Sequence, residues 1–166
     1  MNQGLLTGLE QSATRPNQPL MKSESQDAYN LFSGQIQRFI WKTHYDKIVS
    51  SFKKMRENIV GIMAQQASSI LSAVFQSARV SGKMLSPKIV YSAAKELMIS
   101  LIEIAQHEKV LSDDWDRAGK EAFFHALAQF AQQNKDKLKP EEVKEYMQLM
   151  QQDKQYMQGG ENESSR

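Results

Sequence analysis

Residues 59–78 read IVGIMAQQASSILSAVFQSA, a twenty-residue run without a charged side chain. Twenty is the length that spans a bilayer. Yet seven of the twenty are Gln or Ser (Gln65, Gln66, Ser68, Ser69, Ser72, Gln76 and Ser77), and a lone span of that polarity inserts poorly. Apolar side chains recur at helical spacing: Ile59, Ile62, Met63, Ile70, Val74 and Phe75 form one face, and Val60, Ala64, Ala67, Leu71 and Ala78 much of another. A helix apolar on more than one face must be covered on more than one face. Gly61, Ala64, Ala67, Ser68, Ser72 and Ala73 are small enough for a second helix to approach closely, with Gln and Ser bonding across the contact. The stretch therefore predicts a central helix enclosed by other helices. Its contact residues are Ile59, Ile62, Met63, Ala67, Ile70, Leu71, Val74 and Phe75. The expectation is that sister subunits supply part of the cover, in water or in a membrane. In a pore, Gln and Ser would face water and the apolar side chains lipid.

Outward from this helix, the rest of the chain also reads as helix. Upstream, Tyr29, Phe32, Ile36, Phe39, Ile40, Tyr45, Ile48, Val49 and Phe52 repeat at spacings of three and four, predicting a helix from about Ser25 to Lys54. Gly34 and the segment Trp41–Lys47 (WKTHYDK) are its expected weak points, because Gly costs helix entropy and Thr43 and Asp46 prefer helix ends. Downstream, Gly82 is placed to end the central helix, and Ser86-Pro87 is a start signal for a helix reaching about Lys109. Ser112 with Asp113, Asp114 and Asp116 opens the next, and Pro140 with Glu141 and Glu142 opens the last. Turns at 81–86, 110–112 and 135–140 are short, which favours antiparallel sequential neighbours. The fold class is all-α: four to five helices in a bundle or in hairpins. A flexible N-terminal tail covers 1–22, a helical domain 23–157 and a disordered C-terminal tail 158–166. The apolar spots GLL (4–6) and GLE (8–10) in the first tail are candidates to dock on a partner.

Composition narrows the function classes. The 166 residues include 18 Gln and nine Met but no Cys, which removes disulfides, thiolate nucleophiles and cysteine metal sites. No phosphate-binding glycine loop, zinc-protease helix or nucleophile elbow occurs. His107 and His125 each lie four residues after a Glu, not the three that carboxylate-bridged metal bundles use. The expectation is no enzyme, no cofactor and no metal site.

Charge points elsewhere. The net charge of +2 divides into +5 over residues 1–83 and −3 over residues 84–166. Most of the excess sits in residues 38–56, RFIWKTHYDKIVSSFKKMR, where Arg38, Lys42, Lys47, Lys53, Lys54 and Arg56 are interleaved with Phe39, Trp41, Tyr45 and Phe52. Cations neutralise phosphates, and aromatics stack on bases or sit at a headgroup boundary. Arg38, Trp41, Lys42, Lys47, Lys53, Lys54 and Arg56 are the candidate contacts for DNA or lipid headgroups.

The start MNQGLL, the Ala/Gln/Met-rich helical body, the segment LSPKIVYSAAKELMISLIEIAQHEKVLSDD (85–114) and the late helix KPEEVKEYMQLMQQ (139–152) resemble the short ejection, or internal virion, proteins of short-tailed bacteriophages. The resemblance implies packaging in the virion, release into the host and assembly with other virion, tail or ejection proteins into a homo-oligomeric conduit. Such a conduit carries DNA across the host membrane and envelope. It transfers no site residues. Two other readings stand beside it: an adaptor or chaperone holding one partner protein along 59–78, and a nucleic-acid binder using 38–56.

Overall fold

The computed structural model describes residues 23–111 and 114–163, with side chains described through residue 155. All regular structure among these residues is helical. α1 (Ser23–Arg38) passes through a π-helical segment (Phe39–His44) into α2 (Tyr45–Lys54). A 3₁₀ turn (Arg56–Asn58) leads into α3 (Ile59–Val80), followed by α4 (Pro87–His107), α5 (Trp115–Gln133) and α6 (Pro140–Glu163). With α1 and α2 as one irregular rod, the described residues form five helical rods, within the four to five that the periodicity predicts. The expected tail at 1–22 and the expected Ser112 cap lie outside the described residues. The backbone of α6 runs to Glu163, past residue 158, where the sequence reading begins a disordered second tail.

The first rod does not break at Gly34, which is helical with open space around it. The change comes where Thr43 and Asp46 suggest it. Phe32, Ile36, Ile40, Ile48 and Phe52 are all buried and fall on a strict four-residue repeat. In an α-helix, residues four apart drift by about 40° per step. Over five steps the stripe would rotate away from the core. The wider π turns set that rotation back, so both ends of the rod face the same neighbours.

Helix ends follow local chemistry. Asn58 caps α3 by accepting from the Gly61 N–H at 3.3 Å, and Ser86 caps α4 ahead of Pro87. Lys139 N–H donates to the Glu142 carboxylate at 2.7 Å, the returning half of a capping box for α6. α3 closes with Gly82 at φ 77°, and Lys83 N–H reaches back to the Ala78 carbonyl. α4 closes the same way with Lys109 at φ 56°, where Val110 N–H reaches Ala105 O. These are paired Schellman motifs.

Tertiary packing departs from simple hairpin order. α3 packs most extensively on α5, across the intervening α4. Ser68 Oγ donates to Gln129 Oε1 at 2.9 Å and Ser72 Oγ to Gln133 Oε1 at 2.8 Å. The two helices thus advance together and run parallel. Ala64, Ala67 and Ser68 on α3 and Gly119, Ala122 and Ala126 on α5 are buried small residues that permit this approach. α1 likewise runs parallel to α4: Tyr29 and Ser33 bond the Glu96 carboxylate, and Ser100 Oγ donates to Gln37 Oε1 at 3.0 Å. α6 covers the other side of α4, through Tyr91 to Asp153 at 2.7 Å and Lys95 to Asp153 at 2.8 Å. The long 23–80 region completes a bundle with the C-terminal half and does not project from it.

Candidate nucleic-acid interface

The central helix goes to the interior. Ile62, Met63, Ala67, Ile70, Leu71, Val74 and Phe75 are buried, and Ile59 is half-buried. Their cover comes from α1, α2, α4 and α5 of the same chain. One chain thus supplies enough cover to bury these residues without a sister subunit. The outward stripe of α3 is Gln65, Ser69, Ala73 and Ser77, small and polar. By length and composition the helix could cross a membrane, but most of that window lies inside the bundle. Fully burying each of six large side chains (Ile62, Met63, Ile70, Leu71, Val74, Phe75) stabilises by about 1.5–3 kcal/mol. Exposing them together would cost on the order of 10 kcal/mol, comparable to the whole stability of a domain.

The basic stretch goes to the surface. Arg38, Trp41, Lys42, Lys47, Lys53, Lys54 and Arg56 are all exposed, while Ile40, Ile48 and Phe52 between them point inward. Amphipathic spacing produces this sorting. At 100° per residue, Lys47, Lys53 and Lys54 fall within one outward face of α2, together with Asp46 and Ser50. The π segment aims the aromatics. Trp41 remains 46% exposed; its indole N–H donates to Gln37 Oε1 at 3.0 Å, and its ring stacks with Tyr45 at 5.6 Å. Because Gln37 also accepts from Ser100, Trp41 is anchored to α4 and not left free to rotate. Phe39 and His44 stack face to face at 3.9 Å.

Lys53 differs from the other cations. It pairs with Glu108 at 2.8 Å. The hydrogen bond from Lys53, with a lesser one from His107, holds the Glu108 carboxyl below the usual glutamate range. Arg38, Lys42, Lys47, Lys54 and Arg56 have no ion-pair partner among the described residues. Their fields are not neutralised locally, whereas that of Lys53 is. Beside Lys47, a groove of about 390 Å³ opens between the π segment and α3, edged by His44, Ser51, Gln65 and Gln66 over Ile62 and Ile70. Gln66 bridges it to Ser51 at 3.3 Å. The buried His44 Nδ1 has no hydrogen-bond partner among the described residues.

Among the described residues, no three His, Asp or Glu side chains gather as a metal-binding set. Sequence reasoning missed the partners of the polar side of α3: Gln129, Gln133 and Asn134. A signal existed, since Gln129 and Gln133 share the four-residue spacing of Ser68 and Ser72. It also missed the exposed apolar side chains Leu31, Val80 and Met84 near the 81–86 turn. Comparisons with protein-family models, curated proteins and solved structures found no match.

Proposed function

We propose that the chain is a non-enzymatic helical virion protein of the ejection kind that its sequence resembles, and that it contacts the delivered DNA, its phosphates through Arg38, Lys42, Lys47, Lys54 and Arg56 and its bases through the Trp41 ring. The supporting observation is the sorting along one rod: cations and an anchored indole outward, Ile40, Ile48 and Phe52 inward, with Met55 the one large apolar side chain of the stretch besides Trp41 left exposed. Phosphate neutralisation by unpaired Lys and Arg gives affinity without sequence preference, which suits a protein that must meet any part of a genome. Lys53, already paired with Glu108, contributes least. Assembly into a conduit uses the closed bundle as its subunit. Lipid entry by α3 requires the bundle to open, and only lipid or sister chains taking over its apolar contacts would offset that cost.

The test is fluorescence anisotropy on a random-sequence duplex with wild type and K42E/K47E/K54E. Affinity should fall by about tenfold or more in the variant, and the wild-type affinity should drop steeply as salt rises from about 50 to 200 mM. The helical circular dichroism should not change. Salt-insensitive binding, or equal binding by the variant, overturns the DNA assignment; retention on anionic vesicles but not on DNA transfers the face to headgroups. Absence of the chain from purified particles by mass spectrometry would remove the virion reading.

A further inference from the structure

A second surface lies away from the cationic rod. Between α1 and the turn that follows α3, an apolar groove of about 280 Å³ is lined by Ala28, Leu31, Phe32, Ala78, Met84 and Leu85, with Asp27, Gln35 and Lys83 at its rim. Leu31 is 45% exposed and Met84 80%, and Val80, two residues beyond Ala78, is 90% exposed. The other exposed large apolar side chains among the described residues, Trp41, Met55 and Met147, do not line this groove. Large apolar residues gathered at one groove are a recognition feature more often than scattered ones are.

The chain itself carries a fitting occupant. Twenty-two residues precede Ser23, and the described helix starts one turn before Asp27 at the groove's edge. Leu5, Leu6 and Leu9 are the apolar cluster of that segment, spaced to share one side of a helical turn. Glu10, its one acidic residue, follows directly, and Lys83 is the one basic residue at the groove. Reach is sufficient. Thirteen residues separate Leu9 from Ser23 and can span about 40 Å. Leu31 lies only about 12 Å along α1 from Ser23. Leu20 and Met21 are the other apolar pair, but they adjoin the helix start and are too close to fold back that far.

We infer that residues 4–10, GLLTGLE, dock in this groove of their own chain, with Leu5, Leu6 and Leu9 covering Leu31 and Met84 and with Glu10 beside Lys83. The docked segment shields this apolar groove. It is also a built-in competitor for any partner helix that needs the same groove. This inference is independent of the phosphate-contact proposal, since it shares no residue with it.

Because the chain has no cysteine, an engineered pair reports proximity cleanly. The test uses full-length protein carrying Leu6→Cys with Met84→Cys under mild oxidation. The control pairs Leu6→Cys with Glu121→Cys, an exposed position that the α3–α5 register places about 27 Å along the bundle from Ala78. An intrachain disulfide should form in yield about tenfold above the control, as raised effective concentration requires. Adding Leu5→Ser and Leu9→Ser should return it to the control level. Equal yields in the two pairs overturn the inference. So does a yield unaffected by the serine changes. Predominantly interchain disulfides would overturn it in favour of a second copy in the groove.

Discussion

Lys109 occupies a backbone position that glycine fills at the equivalent end of α3. Both residues sit at the left-handed position of a Schellman motif, at φ 56° and 77°. A side chain with a Cβ pays for that conformation, and glycine does not. Lys109→Gly should therefore stabilise the fold by about 1 kcal/mol, read as a shift of the urea midpoint at unchanged slope. Tyr146 shows a different local cost. Its ring is buried against Phe130 at 5.8 Å, yet its hydroxyl has no hydrogen-bond partner among the described residues. Leaving a buried hydroxyl unpaired costs about 1–3 kcal/mol, so Tyr146→Phe should hold or raise the thermal midpoint. A fall of several degrees would show that the hydroxyl is satisfied, for instance by water. Caps and stops of this kind were legible in the sequence because they depend on a few neighbouring residues: Ser86-Pro87, Gly82 and Pro140 act where they stand. Lys109 was not legible, because nothing about a lysine announces positive φ.

At the scale of elements, the α3–α5 pair is joined by a polar ladder inside an apolar interface. Asn134, fully buried, donates to Ser72 Oγ at 2.9 Å and to Phe130 O at 2.8 Å, and accepts from Gln76 at 3.4 Å. Removing one member leaves the others desolvated and unpaired. Asn134→Ala should cost about 2–3 kcal/mol, and adding Ser72→Ala should cost less than the two single changes together. Denaturant unfolding of the four proteins in that cycle checks this; strict additivity would mean the ladder is not coupled. Of the Gln and Ser in the uncharged run that argued against a lone membrane span, Ser68, Ser72 and Gln76 thus have an intrachain role. They fix which helix lies against α3 and in what register. The π segment is an element-level device of the same kind. It keeps Phe32, Ile36 and Ile40 in line with Ile48 and Phe52 and presents Trp41 at the surface. The sequence marked the place through Thr43 and Asp46. It did not reveal the form, because a register correction has meaning only relative to the helices it serves.

For the whole molecule, three tyrosines tie the outer helices to the core and set an alkaline limit. Burial, reinforced by Glu96 for Tyr29, by Asp153 for Tyr91 and by Glu142 and Glu145 for Tyr146, pushes all three phenols well above the ordinary value. A group whose pKa is higher in the folded chain than in the unfolded one stabilises fully below its unfolded value. That contribution fades as pH rises beyond it. Stability should therefore decline above about pH 10, and absorbance at 295 nm should show these phenols ionising together with loss of helix. Smooth titration of every tyrosine with the helix intact would contradict the packing of α1 and α6 on α4.

The sequence by itself determined the helices, their main boundaries, the all-α class and the cationic-aromatic rod, since each is written in periodicity, capping and charge over short spans. Only the tertiary structure decided that α3 is sheathed by its own chain, that α5 rather than a sister subunit lies along it, and that Lys53 alone of the basic set is already paired. Those outcomes turn on contacts between residues some sixty positions apart. An apolar face states only that it must be covered, and chain topology chooses what covers it.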